Sequence, residues 1–272
     1  MSYLAETKPL KLGDIAKMRA SGEPVAMLTC YDSSFAGLLD RCGVDMLLIG
    51  DSMGNVLQGH SSTLPVTLKQ IADHTGCVAR GARRAMIVAD MPFGSYHESP
   101  AQAMRNAATL MKAGAHMVKL EGGALMAETT RFLTERGVPV CAHIGLTPQS
   151  VHQLGGYRIQ GKTEGGAARL IADAKALEAA GAALMVLEMI PATLGAEVSQ
   201  ALSTCATIGI GAGAACHGQV LVLHDMLGIT AGPRPRFARD FMPDGGGSIE
   251  GAVRAYVAAV KARAFPAAAN DY

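Results

Sequence analysis

Ala113-Gly114-Ala115-His116-Met117-Val118-Lys119-Leu120-Glu121 is nearly repeated as Ala180-Gly181-Ala182-Ala183-Leu184-Met185-Val186-Leu187-Glu188. In each copy a glycine suited to end a helix leads into a short apolar run, and the run closes on a carboxylate. The runs are rich in Val, Leu and Met and do not alternate with polar residues. That pattern fits a parallel strand covered on both faces. Three further segments follow the same plan: Gly43 through Met46-Leu47-Leu48-Ile49-Gly50 to Asp51, Gly81 through Ala85-Met86-Ile87-Val88-Ala89 to Asp90, and Gly137 through Val138-Pro139-Val140-Cys141-Ala142 to His143. Strands that all end on polar groups at one face would build one site from distant parts of the chain.

Outward from these segments, strands are expected at Pro24–Cys30, Asp45–Asp51, Ala85–Asp90, Ala115–Glu121, Val138–His143, Ala183–Glu188, Ala206–Gly211 and Gln219–His224. Helices are expected near Ser33–Arg41, Leu68–Arg80, Ala101–Lys112, Ala124–Arg136, Glu164–Ala180 and Ile249–Arg263. The clearest is the third. Ser99 can cap it, Pro100 suits its first position, Gln102 would complete a capping box, and Gly114 can end it. Strands alternating with helices imply either a (β/α)8 TIM barrel or a doubly wound sheet. The turn after the first strand, Thr29-Cys30-Tyr31-Asp32, carries none of the glycines of a dinucleotide fingerprint, which favours the barrel.

The length of 272 residues suits a single barrel domain, since barrels use about 250. A short N-terminal extension and a loose Ala-rich tail after Phe265 are expected at the ends. Hydrophobic residues make up 49% of the chain, charged residues 17%, and the net charge is +1. That balance gives no electrostatic basis for binding nucleic acid or an anionic membrane. It also suggests that some surface is buried between subunits. The six cysteines are scattered, with no Cys-x-x-Cys pair, and read as reduced core thiols. No apolar stretch approaches the roughly 20 residues that span a bilayer. The expected location is the cytoplasm.

In a barrel, the loops at the C-terminal strand ends carry the active site. Asp51, Asp90, Glu121, His143 and Glu188 would meet there. Asp51, with Ser52 beside it, and Asp90 end neighbouring strands and could share a hard divalent cation; helix capping is the other use of such aspartates. Lys119 and Glu121 lie two apart on one strand and share a face. A lysine buried in an apolar strand needs a partner, so the two form either a structural ion pair or an anion-binding lysine beside a metal-site acid. Glu188, after five apolar residues, is either a desolvated base or a salt-bridged acid. His143 could be a ligand, a hydrogen-bond donor or a packed polar side chain. Gly209-Ile210-Gly211-Ala212-Gly213 could cradle a phosphate, admit a substrate closely or form a tight turn.

Several ordered motifs together carry a family resemblance. They are Leu48-Ile49-Gly50-Asp51-Ser52-Met53-Gly54, Gln58-Gly59-His60-Ser61-Ser62-Thr63-Leu64-Pro65-Val66-Thr67 and Ala89-Asp90-Met91-Pro92-Phe93. Val118-Lys119-Leu120-Glu121-Gly122-Gly123, His143-Ile144-Gly145-Leu146-Thr147-Pro148-Gln149-Ser150, Gly155-Gly156-Tyr157 and His224-Asp225-Met226-Leu227-Gly228 follow. In combination the chain closely resembles the ketopantoate hydroxymethyltransferases, from about Leu10 to Phe265.

The resemblance implies a (β/α)8 barrel of the phosphoenolpyruvate mutase/isocitrate lyase group. It implies a divalent metal, usually Mg²⁺, with Asp51, Asp90 and Glu121 matching the metal-site acids. Asp51, Ser52, Asp90 and Lys119 match the contacts to the 2-oxo acid, and Glu188 matches the catalytic proton acceptor, with His143 accessory. The implied reaction transfers a hydroxymethyl group from 5,10-methylenetetrahydrofolate to 3-methyl-2-oxobutanoate through a metal-stabilised enolate, in a homo-oligomer, often a decamer. Competing readings are an Mg²⁺-dependent 2-oxo acid C–C lyase of the same barrel group and an inactive barrel serving assembly. One departure stands out: Cys216-His217-Gly218-Gln219 has histidine where the family usually has aspartate. If position 217 lies at the active rim, the change bears on folate binding. Tyr157 is a candidate stacking platform for the pterin.

Overall fold

A computed structural model describes residues 8–230 and 232–272. Eight parallel strands close into a barrel in sequence order: β1 (Val25–Thr29), β2 (Met46–Ile49), β3 (Met86–Asp90), β4 (Met117–Glu121), β5 (Val140–Gly145), β6 (Leu184–Glu188), β7 (Ala206–Ile210) and β8 (Gly218–Leu221). Closure is made by β8 against β1, with Val25 opposite Gly218 and Leu28 opposite Leu221. The fold class read from the sequence is the one observed. All eight expected strands are present, and their burial, complete but for the last residues of β5 and β6, explains why the runs lack alternation.

Local chemistry places the helices. Asp32 caps Ser33–Arg41 by accepting from the Ser34 and Phe35 N–H groups. Thr67 and Gln70 form a reciprocal capping box at Leu68–Gly81. Ser99 caps Pro100–Ala113, which Gly114 ends at φ 116°. Here one expectation is corrected: the Gln102 carboxamide accepts from the Glu98 N–H rather than from Ser99, one residue too far back for a capping box. Further helices run Ala127–Thr134, Glu164–Ala179, Ala192–Ala201 and Ile249–Lys261.

The structure differs from the expected alternation in several places, one of them the Ala192–Ala201 helix, which the sequence pattern does not signal. The helix expected over Ala124–Arg136 begins as a tighter 3-10 turn, Ala124–Met126. No helix joins β7 to β8; the link is the glycine-rich turn and His217. A helix the apolar pattern did not signal, Leu12–Ser21, packs against β7 instead. Its Arg19 guanidinium donates to Leu202 O at 2.6 Å. The tail is not loose. Phe265 is buried, the Ala192 N–H donates to Tyr272 O, and the Tyr272 ring lies against Gly211.

The N-terminal face of the barrel is closed by structural charges. Asp45 is fully buried, and its carboxylate lies 2.7 Å from both Arg84 and Lys261 while accepting from the Ala26 N–H. Two cations and a backbone N–H satisfy this buried acid, so it is not left as an unpaired charge, which loss of a partner would make costly. The C-terminal face is built on the opposite principle. No described helix is long and apolar enough to cross a membrane.

Candidate active site

The strand ends deliver their polar residues to one cavity of about 740 Å³. Asp51 and Ser52 follow β2, Asp90 ends β3, Lys119 and Glu121 share the inward face of β4, His143 lies on β5, and Glu188 ends β6. All line this cavity, so every site residue expected from the sequence comes together.

Strand register sets the charge pairing. Asp90 is the register partner of Lys119, and Glu121 that of His143. Lys119 Nζ lies 2.5 Å from Asp90 Oδ1. Asp90 Oδ2 accepts the Asp51 N–H at 3.0 Å, tying the two aspartate loops together. His143 sits between two acids, with Nδ1 3.2 Å from Glu121 Oε1 and Nε2 3.2 Å from Glu188 Oε2. Neither approach has the direction of a hydrogen bond, so the attraction is ionic, an imidazolium held between carboxylates.

Electrostatics follow from burial plus neighbours. Burial alone would lower the Lys119 pKa, but the Asp90, Glu121 and Asp51 carboxylates outweigh it and hold the ammonium charged. Burial also opposes a charged His143, yet Glu121 and Glu188 raise its pKa to about 9. For Glu121, burial is outweighed by His143, Lys119 and the Gln149 N–H, and its carboxyl is lowered. Asp51 behaves oppositely. Burial, then repulsion from Asp90 and Glu121, push it well above the usual carboxylate range. The site therefore carries more negative charge than its own cations neutralise, and the surplus falls on Asp51.

This is a donor set that suits a hard divalent cation. Among the described residues, no three His, Cys, Asp or Glu side chains are gathered as a ready coordination cluster. Mg²⁺ needs no such cluster, because it takes one or two protein carboxylates and completes its shell with water and substrate oxygens. Glu121 already receives the Gln149 N–H on Oε2 and faces His143 on Oε1. Asp51 Oδ2 receives the Gln149 amide, and no hydrogen bond reaches Asp51 Oδ1 among the described residues.

Sequence reading missed Gln149 and Tyr96, both buried behind the carboxylates. Gln149 lies in a 3-10 turn, Pro148–Ser150, after β5, and Tyr96 in the irregular loop after β3, so neither has a periodicity that marks its direction. Tyr31 was missed likewise; its hydroxyl lies 2.9 Å from Ser52 Oγ and positions that side chain. Met189, directly after Glu188, adopts φ 45°, a left-handed conformation that a non-glycine residue rarely takes outside constrained sites.

Two expectations turn on position. Gly211 and Gly213 have positive φ, and a Cβ at Gly211 would lie 3.0 Å from the Tyr272 ring. This packing supports the tight-turn reading of the segment. His217 precedes β8 and bonds to Thr207, near the start of β7, so it lies at the N-terminal face. The departure at 217 is therefore remote from the cavity, because a strand has two ends and only one faces the site. Tyr157 does line the cavity mouth and is half-exposed.

The family model described as ketopantoate hydroxymethyltransferase matches residues 9–268. The chain is 69% identical over 272 residues to the 3-methyl-2-oxobutanoate hydroxymethyltransferase of Azoarcus sp. (strain BH72), covering 100% of both chains. It is 64% identical to the enzyme of that name from Aromatoleum aromaticum, again over 100% of both. Among solved structures, it resembles phosphoenolpyruvate phosphomutase from Streptomyces platensis subsp. rosaceus with a TM-score of 0.61 at 14% identity, covering 80% of this chain and 83% of that one. 2,3-Dimethylmalate lyase, a PEP mutase/isocitrate lyase superfamily member, matches with a TM-score of 0.57 at 17% identity, covering 77% and 80%. At these identities the two structures speak for the fold alone.

Proposed function

The chain belongs to the ketopantoate hydroxymethyltransferase family, and on that premise we propose that it transfers a hydroxymethyl group from 5,10-methylenetetrahydrofolate to 3-methyl-2-oxobutanoate, yielding 2-dehydropantoate, with a divalent metal such as Mg²⁺. The observation that carries this reading is the convergence of Asp51, Asp90, Lys119, Glu121, His143 and Glu188 from five strand ends on one cavity.

Asp51 and Asp90 would hold the metal directly. Glu121, which sits between the Gln149 N–H and His143, would join the metal's shell through water. When bound, the metal withdraws electron density from the 2-oxo acid and makes its C3 proton more acidic. Lys119, kept charged by its carboxylate neighbours, supplies the fixed positive charge that attracts the substrate's anionic oxygens. Ser52, braced by Tyr31, offers a hydroxyl to the same oxygens. Glu188 takes the C3 proton, and His143 holds Glu188 in place from its other side. The carbon so freed bonds to the methylene carbon of the folate; both C–N bonds of that carbon break, one water supplies the hydroxyl oxygen, and the C3 proton and the remaining water proton end on the two nitrogens of the departing tetrahydrofolate.

A small 2-oxo acid does not fill about 740 Å³. The remainder, toward Asn55, Tyr157 and Asp225, is room for the folate. The protein would work in the cytoplasm as a homo-oligomer.

The test is NMR detection of 2-dehydropantoate from 3-methyl-2-oxobutanoate, methylenetetrahydrofolate and Mg²⁺. Product that needs the folate and vanishes with EDTA is expected. Turnover of the 2-oxo acid without folate would sink the transfer reaction and favour a C–C lyase. In a separate arm, Glu188→Gln should slow exchange of the C3 proton with D₂O by about 10²–10⁴-fold. Exchange at the wild-type rate would remove Glu188 from the base role.

A further inference from the structure

Behind the metal-site acids lies a closed hydrogen-bond chain whose every direction is forced. The Gln149 side-chain amide donates from Nε2 to Asp51 Oδ2 at 2.9 Å and to Met91 O at 3.0 Å. Its Oε1 accepts from the Tyr96 hydroxyl at 2.8 Å. Its backbone N–H donates to Glu121 Oε2 at 3.0 Å. The Tyr96 hydroxyl accepts in turn from the Glu121 N–H at 3.0 Å.

A backbone carbonyl only accepts, so Met91 O turns the NH₂ end of the amide toward itself and Asp51. Oε1 must then face Tyr96. The single phenolic proton goes to Oε1, because the other acceptor in reach, Glu121 O, is farther away at 3.3 Å. That leaves the phenol oxygen to receive the Glu121 N–H. Gln149 is 4% exposed and Tyr96 fully buried, so no water competes for these groups. Four segments, the ends of β2 and β4 and the loops after β3 and β5, are locked by two side chains.

We infer that Gln149 is a positioning residue for the divalent cation: it fixes Asp51 Oδ2 and Glu121 Oε2 from behind and leaves Asp51 Oδ1 as the oxygen that takes the metal. Tyr96 acts through it by reading the carbonyl end of the amide. The inference rests on the proposed metal role of Asp51. Groups of this kind typically change metal affinity 10–100-fold when lost, because a ligand that must find its own orientation binds more weakly.

Mn²⁺ serves as the probe, with free Mn²⁺ followed by EPR during titration of the full-length protein. Gln149→Met keeps the side-chain length without its hydrogen bonds. With an unchanged far-UV CD spectrum, it should raise the Mn²⁺ dissociation constant about 10–100-fold. Its KM for Mn²⁺ in the transfer assay should rise more than kcat falls, a split that a general loss of packing would not give. Tyr96→Phe should weaken Mn²⁺ a few-fold. The double variant should lose less than the product of the two single losses, because part of the Tyr96 effect runs through the amide.

Wild-type Mn²⁺ affinity in Gln149→Met overturns the inference, as does a double variant whose loss is the product of the two single losses. Should Gln149→Met not fold, wild-type affinity in Tyr96→Phe overturns it equally. Wild-type protein that binds no Mn²⁺ overturns the metal reading itself, which is a separate failure.

Discussion

Lys119 and Asp90 are register partners on neighbouring strands, and their side chains meet at 2.5 Å between Nζ and Oδ1 with only 5% and 3% of each exposed. One step round the barrel, Glu121 and His143 repeat the arrangement. An acid on one strand faces a base on the next, so the register that closes the barrel also assembles the charges of the site.

Breaking the first pair should separate stability from activity. Lys119→Met leaves the buried Asp90 carboxylate without its cation, a loss of about 3–5 kcal/mol. Lys119→Met with Asp90→Asn removes both charges and should recover most of that stability in urea unfolding, while transfer stays abolished. A double variant as unstable as the single one would show that the pair is not the cause.

Gly145 controls the seat of Glu188. It closes β5 at φ 93°, and a Cβ there would lie 2.3 Å from Glu188 O, which accepts the Leu146 N–H. No flexible side chain can yield at that contact, because the clash is with backbone. Gly145→Ala should displace Glu188 and lower kcat more than 10-fold, with Mn²⁺ affinity close to wild type. An unchanged kcat would mean that the β5–β6 junction tolerates the shift.

The barrel and its charged rim were legible because the signal is compositional. Parallel strands buried on both faces cannot hide, and a carboxylate after the five apolar residues Ala183–Leu187 has only the rim to occupy. What escaped was whatever depends on loops. Gln149 and Tyr96 sit in irregular segments, where no period ties spacing to direction. The position of His217 stayed open for a related reason: its residue type says polar, but only the missing helix between β7 and β8 shows which end of a strand it marks. The Leu12–Ser21 helix was invisible because only Ile15 and Met18 are buried in it.

The His143 imidazolium should make apo-protein stability depend on alkaline pH. Its folded pKa, raised to about 9, lies above the ordinary 6.5. The stabilisation is therefore complete below about pH 6.5 and is lost as pH rises through about 9, since the folded state holds a proton the unfolded chain has released. Urea unfolding in EDTA should show wild type losing about 1–3 kcal/mol more than His143→Gln between pH 6 and 9.5. Equal losses in the two proteins would deny that the imidazole is charged between Glu121 and Glu188.

The last prediction concerns His217, where the chain has histidine at a position usually aspartate in the resembled family. His217 Nδ1 lies 2.9 Å from Thr207 Oγ1 and accepts the Thr207 N–H at 3.2 Å. Burial, then Arg19 and Arg263, lower its pKa to about 4, so the ring is a neutral acceptor. Between pH 6.5 and about 4 the unfolded chain takes a proton that the folded ring refuses, and stability falls as the pH falls. An aspartate can accept the same two donors, and its charge is attracted by the arginines that repel a histidinium. His217→Asp should therefore raise stability at pH 7 by about 0.2–1 kcal/mol, the range of a partly exposed ion pair. It should also flatten the loss between pH 6.5 and 4. Because position 217 lies at the N-terminal face, kcat and the KM for methylenetetrahydrofolate should stay within about two-fold of wild type, where a side chain touching the reaction would change them by 10-fold or more. A large change in the folate KM would mean that the N-terminal face communicates with the site.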